Sequence, residues 1–129
     1  MSKPILCLDF DGVLHSYESG WKGADVIPDA PVAGAMEFLR DAVESFDLWI
    51  FSSRSNQPGG IDAMQTWLKE HLIETFGVEA ARSLAAQIKL ATEKPSAFLT
   101  IDDRAIQFTG IWPRPSDLLT FKPWNKREG

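Results

Sequence analysis

Two acidic residues, Asp9 and Asp11, stand at the point in the sequence where an apolar run ends. Carboxylates held this close together repel each other unless a cation or a shared proton lies between them. Gly12 follows directly and lets the chain turn sharply, which would keep both acids at the end of the run. Asp and Gly also form ordinary turns, so the pair alone is compatible with a turn that has no chemical role.

A second group of polar residues follows the next apolar run, at 47–51. The Ser52 hydroxyl could donate a hydrogen bond to a phosphoryl oxygen, or it could simply cap a helix. Arg54 lies two residues further on. Its guanidinium is a candidate contact for a substrate phosphate, and it could equally pair with an acid.

A lysine and a second acidic pair complete the set. Lys94 precedes Pro95, which keeps the lysine out of helical geometry, although an isolated lysine is usually just solvated. Asp102 and Asp103 follow an apolar run, where carboxylates are costly unless they reach solvent or a metal. Together with the first acidic pair, they would supply the oxygen ligands that Mg²⁺ prefers beside water and substrate phosphate.

The elements that must position these residues are short strands separated by helices. Four apolar runs are typical of buried strands, and they are Ile5 to Leu8, Asp47 to Phe51, Gln87 to Leu90 and Ala97 to Ile101. Apolar residues recur at helical spacing in three further segments, 32–46, 61–72 and 78–86. Asp29 is a plausible cap for the first of these helices.

Strands that alternate with helices predict an α/β protein with a parallel sheet covered on both faces, a three-layer sandwich of Rossmann type. We expect one domain, 1–129. Functional groups gather at the carboxyl ends of strands in such sheets, so the polar residues above should meet at one edge. Segment 14–26 is predicted to be a flap or short hairpin over that edge. Segment 113–129 is predicted to be an irregular tail that packs through Phe121 and Trp124 and then frays.

Composition and charge limit the classes of partner that we expect this protein to bind. The net charge is −5 and the pI is about 4.9, which argues against bulk binding to nucleic acid or an anionic membrane. Cys7 is the single cysteine, so no internal disulfide can form. No signal peptide or transmembrane stretch is visible. We therefore expect a cytoplasmic protein that does not bind membranes and that meets nucleic acid only as a substrate.

The order of these motifs resembles that of the haloacid dehalogenase (HAD) superfamily of phosphohydrolases. The first motif of that superfamily is matched by Asp9-Phe10-Asp11-Gly12-Val13, the second by Ser52, the third by Lys94 and the fourth by Asp102-Asp103. The resemblance extends from Ile5 to about Trp112 and implies a HAD-like fold. The first and fourth motifs are specific, whereas the middle two are loose in any member.

The resemblance implies a role for each residue in a phosphatase-type hydrolase that cleaves phosphomonoesters. Asp9 would be the nucleophile that forms an aspartyl-phosphate, and Asp11 would protonate the leaving oxygen and then activate water. Ser52 and Lys94 would hold the phosphoryl oxygens. Mg²⁺ would offset the repulsion between the anionic substrate and Asp9.

The resemblance also implies the metal ligands. Asp9, the backbone carbonyl of Asp11, and Asp103 would bind Mg²⁺, with Asp102 close by. Which acid of the 102–103 pair binds directly stays open at this point.

The spacing departs from that of many relatives. About 40 residues separate Asp11 from Ser52, and about 40 separate Ser52 from Lys94, which leaves no room for a substantial cap domain. A small capless member could act on a small phosphorylated molecule, on a phosphoprotein or on a nucleic-acid end. The natural substrate and the oligomeric state stay open, as does the choice between hydrolysis and phosphotransfer.

Two other classes of protein are compatible with part of the pattern. A receiver domain also combines acids, a Ser or Thr and a Lys-Pro, but there the Lys-Pro comes last, whereas Lys94-Pro95 here precedes Asp102-Asp103. A phosphate-binding or interaction module without turnover is the second alternative. The presence of both Asp9 and Asp11 argues against it, because loss of the second acid is the expected mark of lost hydrolysis.

Overall fold

The computed structural model describes residues 2–126. Its four strands form one parallel sheet in the order β3-β2-β1-β4, and they are β1 Ile5–Leu8, β2 Asp47–Ile50, β3 Ile88–Leu90 and β4 Leu99–Ile101. The helices are α1 Ala35–Ala42, α2 Gly60–Phe76, α3 Val78–Ala85 and the short α4 Pro115–Leu118. Single 3₁₀ turns cover Ser53–Asn56 and Trp124–Lys126. The predicted α/β class and parallel sheet are confirmed. β1 has the predicted bounds, β2 ends one residue earlier, and β3 and β4 begin one and two residues later than predicted.

The core lies on one face of the sheet. Side chains alternate along a strand, so Leu6 and Leu8 of β1 point to the same side as Leu48 and Ile50 of β2. These residues form one buried cluster with apolar residues of α1, α2 and α3, among them Leu39 of α1. The apolar spacing of the three helices therefore reflects a single shared interior.

The other face of the sheet has a different character. Cys7 aligns with Trp49 and Thr100 across the sheet, and Trp49 aligns with Lys89. Cys7 is buried, as expected for a structural thiol, but Trp49 and Thr100 are half-buried and Lys89 is exposed. The short helix α4 buries no residue. A second helical layer, and with it the three-layer arrangement, stays a prediction.

The start of α1 differs from the prediction. The residue before the helix is Gly34, with a φ of +83°, and it makes no side-chain cap. Asp29 does not cap α1, because its carboxylate accepts hydrogen bonds from the backbone N–H and hydroxyl of Ser19. The Val32 N–H donates to the Leu14 carbonyl at 2.8 Å, and a turn at 33–34 precedes the helix, which begins at Ala35.

Segment 14–26 contains no strand of its own and is held to the body by a few contacts. His15 forms isolated bridges with Asp11 and Pro31. Leu14 is buried in the core. The tail comes back to the same region, because the Trp124 indole donates to the Gly12 carbonyl at 2.7 Å. The predicted fraying end, 127–129, lies outside the described residues.

None of the helices between residues 2 and 126 combines the length and the apolar character that crossing a membrane requires.

Candidate functional site

The sheet brings three of the polar segments to one edge. Asp9 directly follows β1 and Asp102 directly follows β4, and the Asp9 N–H donates to the Ile101 carbonyl at 3.0 Å. On the other side of β1, the Phe51 N–H donates to the Leu8 carbonyl at 3.1 Å, which brings Ser52 beside the same edge. Because β1 is flanked by β2 and β4, its carboxyl end lies at the centre of this arrangement.

A cavity of about 180 Å³ opens at this edge. The residues that line it come from all four predicted motifs or from the strands beneath them, and they are Cys7, Asp9, Phe51, Ser52, Ser53, Lys94, Thr100 and Asp102. Larger hollows of about 370 to 380 Å³ occur elsewhere, one of them between α2 and α3. None of the three contains the acid cluster, so we place the candidate site in the smaller cavity.

Three carboxylates converge beside the cavity. Asp9, Asp102 and Asp103 each offer an oxygen, and these oxygens lie within 4.8 Å of one another. Asp103 reaches the cluster only because Gly12 has no side chain, since a Cβ at Gly12 would overlap the Asp103 carboxylate. The φ of Gly12, +82°, is also one that residues with side chains rarely adopt. The glycine in the first motif therefore makes room for an acid of the fourth.

The charge state of Asp9 reflects this environment. Burial, together with the neighbouring carboxylates of Asp103 and Asp102, raises the pKa of Asp9 to about 8, although a hydrogen bond from the Phe10 backbone lowers it. Each of these causes except the backbone bond disfavours a further negative charge in the cluster. A divalent cation at this position would offset the repulsion, and carboxylate oxygens are the donors Mg²⁺ prefers. The donor set therefore fits the ion that the sequence predicts.

Ser52 has one of the two roles that the sequence allowed, the cap of a turn, and its contact with a phosphoryl oxygen stays a prediction. Its side chain is buried and accepts a hydrogen bond from the Arg54 N–H at 3.1 Å, which caps the 3₁₀ turn. Its backbone N–H in turn donates to the Ser55 hydroxyl at 3.1 Å. Because the Ser52 oxygen is the acceptor, its own proton is still free to be donated, and no residue among 2–126 accepts it.

Lys94 is exposed and lines the same cavity as Asp9. No hydrogen bond or ion pair joins it to any residue between 2 and 126. A lysine that borders an acid-lined cavity without a fixed partner can turn its ammonium toward an anion that enters the cavity.

Asp11 lies in a different environment from Asp9. The Arg54 Nε donates to both Asp11 oxygens, at 2.9 and 3.2 Å, and the His15 Nδ1 lies 2.9 Å from Oδ1. Arg54 and His15 are both completely buried. The second acid of the first motif is thus held by a cation and a histidine, and it is not part of the three-carboxylate cluster.

The tautomer of His15 follows from its second contact. The backbone N–H of Asp29 points at the His15 Nε2, at 3.1 Å, and an N–H can only donate. Nε2 must therefore carry a lone pair, so the proton of a neutral imidazole resides on Nδ1 and is donated to Asp11. His15 belongs to none of the motifs in the sequence, and its four-residue spacing to Asp11 was the available signal of this contact.

Arg54 connects segment 14–26, the predicted flap, to Asp11 through hydrogen bonds. Its Nη1 donates to the carbonyls of Gly23, Ala24 and Val26, at 2.8 to 3.1 Å, and its guanidinium carbon lies 4.7 Å from the centre of the Trp21 ring. Its Nη2 is buried and has no partner among the described residues. The observed contacts are those of pairing with an acid, the alternative that the sequence left open. A substrate contact for Arg54 stays a prediction.

Comparisons with protein-family models, with curated proteins and with solved structures found no match to this chain.

Proposed function

We propose that this chain is a magnesium-dependent phosphatase-type hydrolase of the HAD-like class, a small capless member that acts on phosphomonoesters. The observation that carries the proposal is the convergence of Asp9, Asp102 and Asp103 within 4.8 Å, beside a cavity that Ser52 and Lys94 also line. A phosphoryl group needs a nucleophile, hydrogen-bond donors for its oxygens and positive charge to neutralise it. The residues at this edge offer each of these when Mg²⁺ is bound.

The proposed first step is attack of an Asp9 carboxylate oxygen on phosphorus, which forms an aspartyl-phosphate and breaks the bond to the leaving oxygen. Asp11 donates the proton that the leaving oxygen needs. In the second step Asp11 takes a proton from water, and the hydroxide attacks phosphorus to release phosphate and restore Asp9. Asp11 carries the proton for the first step only when substrate binding releases one of the hydrogen bonds that Arg54 and His15 donate to its carboxylate.

Asp9, Asp103 and the backbone carbonyl of Asp11 would hold Mg²⁺, with Asp102 as an adjacent ligand or as a partner of bound water. Mg²⁺ supplies positive charge where the anionic substrate meets the anionic nucleophile. Lys94 and the Ser52 hydroxyl bind the remaining phosphoryl oxygens from the opposite wall of the cavity. The small size of the cavity, about 180 Å³, suits a phosphoryl group better than a whole cofactor.

A second candidate is a phosphate-binding module without turnover. One observation favours it, because both Asp11 oxygens are already engaged by Arg54. If these bonds persist when substrate is bound, Asp11 cannot serve as an acid, and the cavity binds phosphate without releasing a product.

The test is phosphate release from an aryl phosphate, from nucleotides and sugar phosphates, and from phosphorylated DNA and RNA ends, each with Mg²⁺ and with EDTA. We expect turnover that EDTA abolishes. Asp9→Asn should reduce kcat by about 10³-fold or more, since loss of a nucleophile removes the covalent route. Asp41→Asn is the matched control, because the Asp41 side chain is 73% exposed and lies outside the site.

Asp11→Asn separates the two candidates. In a hydrolase this variant should accumulate a phosphorylated Asp9, which mass spectrometry of acid-quenched protein detects. If no substrate gives metal-dependent phosphate release while phosphate still binds with Mg²⁺, the non-catalytic module is correct. If Asp9→Asn retains the wild-type rate, Asp9 is not the nucleophile and the proposal is wrong.

A further inference from the structure

Exposed apolar side chains are concentrated in one part of the molecule. Among the residues described, fifteen large hydrophobic side chains are exposed, and ten of them lie between 98 and 124. These ten are Phe98, Leu99, Ile101, Ile106, Phe108, Ile111, Trp112, Leu118, Leu119 and Trp124. The rings of Phe108 and Trp112 are in contact, with their centres 4.7 Å apart. Apolar groups that cluster at a surface usually mark a site that another surface covers, and we call these ten residues the apolar patch.

The patch includes an open sheet edge. β4 pairs with β1 on one side, and no described strand pairs with its other side. Residues 95–101 contain no charged side chain. Exposed edge strands are normally protected by charges, bulges or a covering element, and this edge lacks such a charge.

Two apolar side chains of β4 are exposed although they lie on the core face of the sheet. Leu99 aligns with Leu6, and Ile101 aligns with Leu8, so both lie on the face that carries the core. Leu6 and Leu8 are almost completely buried, yet Leu99 is 52% and Ile101 is 38% exposed. The hydrophobic face of the sheet therefore continues to its edge without helical cover.

We propose that β4 is the interface at which two copies of this chain form a dimer, with the two β4 strands antiparallel and a two-fold axis near Thr100. This register joins the two four-stranded sheets and places Leu99 of each copy opposite Ile101 of the other. The strand is thus complementary to itself, as an isologous interface requires. A second copy also fits the absence of charge, because two chains of net charge −5 can approach closely only through an uncharged surface.

The exposed apolar area is of the size that a stable dimer needs. Phe98, which directly precedes β4, is 74% exposed, and Phe108 and Trp112 are 54% and 82% exposed. Since an aromatic side chain buries roughly 150–250 Å² when covered, these three rings offer on the order of 400 Å² where they face the partner. A standard interface buries about 800 Å² on each partner, so the proposed dimer also buries Leu99 and Ile101.

The test is the mass of the full chain in solution, measured by sedimentation velocity and by light scattering over a wide concentration range. We expect twice the 14.4 kDa of the chain. Leu99→Lys places an unpaired charge in the interface twice per dimer and should weaken association at least about 100-fold. Val78→Lys is the matched control, because Val78 is also exposed but lies on α3, and it should leave the mass unchanged.

The double variant L99K/I101E tests the register of the two β4 strands. A dimer restored by this variant also shows that L99K did not lose association by misfolding. In the antiparallel arrangement each introduced lysine faces an introduced glutamate of the other copy, so the dimer should return although the single variant L99K is monomeric. A wild-type chain that stays monomeric at all concentrations overturns the proposal and assigns the patch to a different partner. A dimer that L99K leaves intact, or one that L99K/I101E fails to restore, overturns the β4 interface.

Discussion

Asp9 and Asp11 are two residues apart, yet their surroundings differ in kind. Asp9 lies among Asp102 and Asp103 beside an open cavity, and its carboxylate has no cation partner within 2–126. Asp11 lies against a buried arginine and a buried histidine, beneath the flap. The chain bends at Phe10, between the two acids, so they face different parts of the molecule.

The two acids differ in how their negative charge is balanced. At Asp11 the positive charge comes from Arg54, whose side chain is completely buried. On the Asp9 side, three acids converge, and Lys94, which lines the same cavity, is exposed. The negative charge of Asp11 is balanced within the fold, whereas the three-carboxylate cluster leaves charge that a proton or a cation would offset. Three changes test this contrast, and they follow here from the largest expected effect to the smallest.

Removing the counter-charge of Asp11 should have the largest effect on stability. Arg54→Gln leaves the Asp11 carboxylate without its buried partner and also breaks the bonds to the flap carbonyls. We expect a loss of about 3–5 kcal/mol in the free energy of unfolding, measured by urea denaturation. Arg40→Gln is the control, because the Arg40 side chain is 55% exposed and its pair with Asp41 should be worth less than about 1 kcal/mol. Equal losses in the two variants would show that the Asp11 side is not sealed.

A methyl group in the space beside Asp103 should affect the three-carboxylate cluster and not the surroundings of Asp11. Gly12 and Gly34 have nearly the same φ, +82° and +83°, but only Gly12 has a neighbour, the Asp103 carboxylate, where a Cβ would stand. Gly12→Ala and Gly34→Ala should therefore each cost about 1–2 kcal/mol of backbone strain. Only Gly12→Ala should also weaken Mg²⁺ binding, by roughly 10- to 100-fold, in calorimetric titrations. If Gly34→Ala weakens Mg²⁺ binding to the same degree, the contact with Asp103 is irrelevant to the metal.

The change in the Mg²⁺ response of Tm with pH should be the smallest of the three effects. The pKa of Asp9 in the folded chain, about 8, lies above its ordinary value of 3.8. The protonated carboxyl therefore stabilises the metal-free fold fully below pH 3.8, and this contribution is lost as the pH rises through 8. Because Mg²⁺ must displace the same proton, its effect on Tm should grow over this pH range, on the order of a few degrees.

The matched variant for the pH experiment is Asp9→Asn, which cannot titrate. It should have a flatter Tm profile without metal and should show little response to Mg²⁺. A wild-type response to Mg²⁺ that is equally large at pH 5 and pH 8 would contradict the assignment of Asp9 as a metal ligand.

The sequence predicts the parts of this structure that depend on local pattern. The four strands and the long helix α2 follow from apolar runs and helical spacing. Asp9, Ser52 and Asp102 come together because parallel strands place their carboxyl ends at one edge, a rule that needs no knowledge of side-chain contacts. Lys94 follows β3 closely enough to reach the same cavity.

Several contacts that the sequence could not predict join distant segments. Arg54 binds carbonyls about 30 residues earlier, and the role of Asp29 depends on Ser19, ten residues before it. Neither contact leaves a periodic signal. The sequence also did not predict that Leu99 and Ile101 are exposed. A fully apolar run predicts a buried strand and does not say which element buries it.

The bond between the Trp124 indole and the Gly12 carbonyl has a consequence for synthesis on the ribosome. It spans 112 residues and fixes the turn directly after Asp11. A nascent chain emerges amino terminus first, so β1, Asp9 and Asp11 leave the exit tunnel well before Trp124 does. A nascent chain stalled before residue 124 would have the sheet but lack this last constraint on the turn. Synthesis of the segment that contains Trp124 is therefore the event that fixes the turn after Asp11.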